Sequence, residues 1–277
     1  MLLAMGERPS ILSRGYARKV FEEGVVIVSD GTRVLADVKR SGDEPQMLAR
    51  AVPRAAVLVS SSRYLAGRLA ETRLECTVHV LDDGFQHFDL LRDIDLLVSP
   101  DASKDTRTLP FGRLREPLDA ASAADALLVE TDDVYRSAGL ELQDPAYMNK
   151  PHFTFSRRLA GPAPDRPAFA FAGIARPERF YSDLEHSGWK LVGRRSFGDH
   201  HHFSDCEIEE VIRAANSSGA EVILTTEKDI VRLGFEPRTG TGVRPQIHAV
   251  PLEVTIEPSF EPWLTERLHA IRMAVVE

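Results

Sequence analysis

Val78-His79-Val80-Leu81-Asp82-Asp83-Gly84-Phe85-Gln86-His87 reads as an apolar strand that runs out into two aspartates, a glycine and two polar side chains. In open α/β sheets, ligands collect at the carboxyl ends of the strands. Nucleotide hydrolases and kinases hold Mg²⁺ with carboxylates delivered there. Oxygen ligands suit that hard cation, and Gly84 lets the backbone turn tightly behind them. A plain strand-to-turn junction is the competing reading, because Asp-Gly is common in turns. Gln86 and His87 add polar groups to the same turn.

Working outward, short apolar runs alternate with helical spacing. Strands are expected near 10–12, 25–28, 56–59, 77–81, 95–98 and 126–129, with helices at 44–51 and 63–71. After the proline-rich stretch 161–167 the alternation resumes. Strands are expected at 168–172, 189–192, 221–225 and 247–251, with helices at 177–187 and 205–217. Such alternation predicts parallel sheets covered by helices on both faces. The expected organisation is therefore α/β, with a core domain over 1–160, a linker at 161–167 and a smaller α/β domain over 168–277. Met1 to Met5 read as the last turns of an amphipathic helix closed by Gly6, so the chain is expected to begin in mid-domain.

Bulk properties narrow the classes. The 277 residues are 43% hydrophobic and 27% charged, which excludes a disordered or fibrous chain. A net charge of −8 argues against nucleic acid as the main partner, since a phosphate backbone needs a basic face. An anionic small molecule stays open, because a few placed arginines can bind phosphate within an acidic protein. No run approaches the ~20 apolar residues that span a bilayer, so any membrane contact is expected to be peripheral. Cys76 and Cys206 lie in unlike contexts and read as free thiols of a reducing compartment.

Further clusters carry chemistry less sharply. Gly42-Asp43-Glu44-Pro45 precedes a helical stretch, where carboxylates serve equally as caps. Arg113 and Arg115, two apart before Glu116-Pro117, could clamp phosphate or lie in a solvated loop, and Arg14 and Arg63 are further candidates. Three successive histidines, His200 to His202, follow Asp199. Consecutive side chains rarely converge on one metal, so a single histidine oriented by a neighbouring aspartate fits better. Thr226-Glu227-Lys228-Asp229 reads either as a helix cap with an ion pair or as a strand end placing Lys228 near an anion.

Taken in order, these segments resemble the tetraacyldisaccharide 4′-kinases of lipid A synthesis. The matching stretches are Ile11–Tyr16, Gly42–Pro45, Asp82–His87, Leu114–Pro117, Phe171–Ile174 with Pro177–Phe180, Asp199–His201 and Thr226–Asp229. The resemblance implies a P-loop-NTPase-like kinase that moves the γ-phosphoryl of ATP to the 4′-hydroxyl of tetraacyldisaccharide 1-phosphate. The implied setting is the cytoplasmic face of the bacterial inner membrane, peripherally bound and without an obligate protein partner. By the family pattern Asp43 is the base and His200 tunes it. Asp82 and Asp83 hold Mg²⁺, with Glu44 a further metal carboxylate. Gln86 and His87 order the metal and nucleotide, while Arg115 and Glu116 line the reaction site.

One part of the pattern departs. The family carries G-x-x-x-x-G-K-[ST] upstream of Ser13-Arg14-Gly15-Tyr16, and this chain has no Gly-Lys dipeptide. The core domain is thus expected to be N-terminally incomplete, with impaired nucleotide binding. Ala17, and 103–108 where glycines are expected, depart in smaller ways. A shortened kinase is one explanation, and a non-catalytic homologue that binds the lipid A precursor is the other.

Overall fold

The computed structural model describes residues 1–16, 18–98, 107–112, 114–131, 150–160, 165–234 and 245–276. They form two compact units, one joining Met1–Asp83 to Leu159–Leu252 and the other joining Gly84–Arg158 to Glu253–Glu277. These boundaries fall elsewhere than 161–167, of which 161–164 lie outside the described residues.

The first unit holds two four-stranded sheets. One contains β1 (Pro9–Ser13), β2 (Val26–Asp30), β3 (Ala56–Val59) and β4 (Val78–Leu81) in the order β2-β3-β1-β4. β1 runs parallel to β3 and β4, with Leu12 opposite Leu58 on one side and Leu81 on the other. β2 is antiparallel to β3. All four residues of β3 are buried, as expected of an inner strand covered on both faces. Val57 and Val59 face Ala36 and Ala49, the latter on helix α2 (Asp43–Ala51), which follows the short α1 (Val38–Ser41). Ala56 and Leu58 face Ala66 and Ala70 on α3 (Arg63–Leu74). Ser62 starts α3 by accepting the Leu65 N–H at 3.3 Å, and left-handed Glu75 ends it. Met1 to Met5 form a turn, with Ala4 and Met5 N–H donating to the Met1 carbonyl.

The other sheet of this unit contains β8 (Pro167–Ala172), β9 (Lys190–Ser196), β10 (Val222–Thr226) and β11 (Gln246–Val250), all parallel in the order β11-β10-β8-β9. The period-two alternation of β8 explains its two-sided packing. Ala168, Ala170 and Ala172 meet Phe180, Tyr181 and Leu184 of α4 (Pro177–His186). Phe169 and Phe171 meet Ile208, Val211 and Ala215 of α5 (Asp205–Ser217). A reciprocal Ser204–Glu207 capping box begins α5. The short α6 (Glu227–Arg232) follows β10 directly.

In the second unit, β5 (Leu96–Val98), β6 (Ala126–Glu130), β7 (His152–Leu159) and β12 (Leu252–Ile256) form a sheet in the order β12-β7-β6-β5. α7 (Phe260–Val276) packs Phe260 and Trp263 against Phe153, with ring centroids 5.1 and 5.3 Å away. β7, β12 and α7 are absent from the sequence reading. β12 is exposed along most of its length, so it lacks the apolar alternation that marks a strand. Among the described residues, no helix is long and apolar enough to cross a membrane.

Candidate active site

The sheet β2-β3-β1-β4 brings polar residues to the carboxyl edge of its parallel strands β3, β1 and β4. Asp82 follows β4, and its carboxylate accepts the Ser13 hydroxyl at 2.8 Å from the end of the neighbouring β1. Asp83 has a left-handed backbone, φ 51°, which turns the chain immediately after the strand. Arg63, at the start of α3 and almost fully buried, donates to the Ser60 carbonyl at 2.9 Å. Burial and the charge of Arg14 push its guanidinium below the usual value, while Asp82 and Asp83 pull it back up. Two carboxylates and two guanidiniums thus share this edge. The set suits a Mg²⁺–phosphate group, since Mg²⁺ takes one or two carboxylates and leaves its remaining positions to phosphates and water.

A second cluster forms in the same unit around Asp43. Gly42, at φ 87°, precedes α2, and an added Cβ there would meet the Tyr16 carbonyl at 2.8 Å. This turn sets Asp43 into the first turn of α2, where its side chain is only 5% exposed. Its Oδ2 faces His200 Nδ1 at 3.0 Å and receives Arg232 Nε at 2.6 Å, with Arg232 Nη2 also donating to it. Lys228 Nζ stands 4.0 Å from that oxygen and pairs with Glu44 at 2.7 Å. Asp43 Oδ1 accepts the Glu44 N–H at 3.0 Å. Burial opposes ionisation of Asp43, but the Arg232 hydrogen bond and the charges of Arg232, Lys228 and His200 outweigh it. The carboxyl is held below its usual value of 3.8.

His200 is left-handed, φ 56°, with its N–H on the Asp199 carboxylate at 3.0 Å and its ring edge-on to Tyr16 at 5.4 Å. A carboxylate partner requires Nδ1 to carry hydrogen. His201 turns instead to Glu207, 2.9 Å away, and stacks on Phe197. Burial, with the charges of Lys19 and Arg232, keeps His202 below the usual histidine value. The three rings therefore take different partners, and no group of three or more metal-ligating side chains converges among the described residues.

Beneath Asp43, Arg232 Nη1 donates to the Gly173 carbonyl and, at 3.0 Å, to Asp229 Oδ1. Asp229, fully buried, also accepts the Thr226 hydroxyl at 2.7 Å and the Gly173 N–H at 3.1 Å. Burial pushes its carboxyl above the usual value, and these donors offset part of that effect. Thr226 caps α6 by accepting the Asp229 N–H at 3.1 Å. The Thr226–Asp229 segment is thus both a cap and, through Lys228, an ion pair to Glu44. Arg232 escaped the sequence reading. Its one signal is the three-residue spacing from Asp229, which puts both side chains on one helix face.

In the second unit, Gln86 Nε2 donates to Glu116 at 2.5 Å, and Arg115 donates to Gln86 Oε1 at 3.3 Å. Three of the expected site residues therefore form one contact set. His87 closes the turn through its backbone, donating to the Gly84 carbonyl at 2.9 Å and accepting from Arg92 at 2.7 Å. Arg113, the 103–106 stretch and Ala17 lie outside the described residues.

Carboxylates and guanidiniums at the strand ends of an α/β sheet are an arrangement that nucleotide-dependent phosphotransferases use. Within that class, the chain belongs to the tetraacyldisaccharide-1-P 4′-kinase family, whose model matches residues 1–269. A tetraacyldisaccharide 4′-kinase from Desulfotalea psychrophila is 37% identical over 250 residues, covering 84% of this chain and 71% of that protein. One from Geobacter metallireducens is 39% identical over 250 residues, covering 84% and 72%. The crystal structure of the "apo" form of LpxK from Aquifex aeolicus, in complex with ATP, is similar with a TM-score of 0.74 and 31% identity. That match covers 97% of this chain and 80% of the other.

Proposed function

We propose that this chain transfers the γ-phosphoryl of ATP to the 4′-hydroxyl of tetraacyldisaccharide 1-phosphate, in lipid A biosynthesis. The observation that carries the reading is the 3.0 Å contact between Asp43 and His200, side chains 157 residues apart in sequence. Two distant residues of the family pattern meet on one buried carboxylate, which is what a base and its orienting partner require.

Asp43 accepts the hydroxyl proton as the new P–O bond forms. A carboxyl held below its usual value is ionised at neutral pH and is a weak base. Weak is sufficient here, because the transition state of phosphoryl transfer is loose and the hydroxyl gives up its proton late. His200, donating through Nδ1, keeps the carboxylate oriented. Asp82 and Asp83 would hold Mg²⁺, which would supply charge neutralisation for the transferring phosphoryl group. Glu44, the further metal carboxylate of the family pattern, pairs with Lys228 at 2.7 Å beside Asp43 and does not converge with Asp82 and Asp83. Arg63 and Arg14 supply positive charge beside the two aspartates. Gln86, His87, Arg115 and Glu116 order the nucleotide and the reacting groups, and the Gln86–Glu116 and Gln86–Arg115 contacts support that role.

The acceptor is a lipid, so the reaction takes place peripherally at the cytoplasmic face of the inner membrane. Tyr16 and Phe21, 67% and 70% exposed on a segment that also carries Arg18 and Lys19, support that placement. The test is ATP-dependent phosphorylation of the acceptor in detergent micelles. The wild-type chain should turn over and Asp43→Ala should not. An Asp43→Ala chain with wild-type turnover would remove the assignment of the base.

A further inference from the structure

The Asp43 carboxylate has two unequal oxygens. Oδ2 takes both Arg232 Nε and Arg232 Nη2, with His200 Nδ1 alongside at 3.0 Å. Oδ1 takes the backbone N–H of Glu44 at 3.0 Å. A carboxylate oxygen offers about two lone-pair sites, so Oδ2 is saturated and Oδ1 keeps one.

The guanidinium that saturates Oδ2 is itself immobilised. Its side chain is 1% exposed, and its remaining nitrogen is pinned to the Gly173 carbonyl, just past β8, and to Asp229 on α6. Asp229 is held in turn by Thr226 and the Gly173 N–H. The guanidinium thus meets Asp43, the Gly173 carbonyl and Asp229 at once. Lysine could supply the charge but not the planar fork that meets three separate acceptors at once.

We propose that Arg232 is a positioning residue for phosphoryl transfer. It ties Asp43 Oδ2 to the β8–β10 sheet and so leaves Oδ1 as the oxygen that receives the acceptor's proton. The inference rests on Asp43 being the base. It assigns to Arg232 no contact with ATP or acceptor, so its loss should lower kcat and spare KM. A carboxylate freed to rotate is misplaced by about an ångström, which costs on the order of 100-fold in rate.

The experiment compares Arg232→Lys, Arg232→Gln and Arg232→Ala with wild type and Asp43→Ala in the micelle assay, at saturating ATP and acceptor. Arg232→Gln should lose about 100-fold in kcat with both KM values within about twofold of wild type, and Arg232→Lys should regain only part of the loss. Guanidinium ion at tens of millimolar should raise the turnover of Arg232→Ala and leave Asp43→Ala inactive, which a merely structural defect would not do. Removing one member of a buried ion pair can unfold a chain. The double variant Asp229→Asn with Arg232→Gln removes both charges of the buried pair and carries the same prediction in a foldable background. Folded Arg232 variants with wild-type kcat, while Asp43→Ala is inactive, would overturn the positioning role and leave the base assignment standing. An active Asp43→Ala would instead remove the base assignment beneath it.

Discussion

Replacing His200 separates the hydrogen bond from the ring that makes it. His200 Nδ1 lies 3.0 Å from Asp43 Oδ2, and the partner carries charge. A hydrogen bond to a charged group contributes about 1.5–3 kcal/mol. Lost only from the transition state, that is about a 10- to 150-fold fall in kcat. Asparagine places its amide nitrogen near the position of an imidazole Nδ1 and tolerates the left-handed backbone, φ 56°, that His200 adopts. Alanine loses the donor, and because histidine already carries a Cβ at this left-handed position, a urea melt should show only a small further loss of stability. His200→Ala should therefore lose kcat by the full factor and His200→Asn by only a few-fold, measured as initial rates in micelles at saturating ATP and acceptor. If His200→Asn were as slow as His200→Ala, the Nδ1 bond would not be what matters. If His200→Ala kept half of wild-type kcat, the dyad itself would be refuted.

Two further predictions concern local supports, one in each unit. Gly42→Ala combines a φ of 87° with a Cβ placed 2.8 Å from the Tyr16 carbonyl, and should lower stability by about 2 kcal/mol or more. An unchanged urea midpoint would contradict that reading of the turn before Asp43. Glu257 takes the Ser259 hydroxyl together with the Thr154 hydroxyl and N–H, both at 2.7 Å, and these hold its carboxyl at about 2 against an ordinary 4.5. Because the folded value is depressed, the stabilisation is fully present above the unfolded value of 4.5 and is lost as pH falls towards about 2. Solvent screening reduces it to about 1 kcal/mol. Glu257→Gln should lower the melting temperature by a few degrees at pH 7 and leave it near wild type at pH 2.5, and an equal gap at both values would count against it.

Much of the frame was legible in the chain itself. The Ala-Phe-Ala-Phe-Ala run at 168–172 announces a strand packed on both faces, and its alternation sorts alanines to α4 and phenylalanines to α5. Asp82-Asp83-Gly84 at the end of an apolar run likewise announces a polar strand end. Elements held by polar contacts were harder to read. β12 is exposed almost throughout and joins its sheet beside a chain segment some hundred residues earlier, a pairing no local pattern encodes. The His200–Asp43 contact follows from the family resemblance and not from spacing, because nothing local links residues so far apart. Arg232 was invisible for the opposite reason: an arginine in a short charged helix reads as a solvated residue until its burial is known.

The central claim is the transfer itself, and the product tests it most directly. The purified chain would be incubated with ATP, Mg²⁺ and tetraacyldisaccharide 1-phosphate in micelles, and the glycolipid product examined by ³¹P NMR. The account predicts a second phosphomonoester resonance, at the 4′-position, that requires ATP and is missing with Asp43→Ala. A glycolipid that keeps its single phosphate under all these conditions would contradict it.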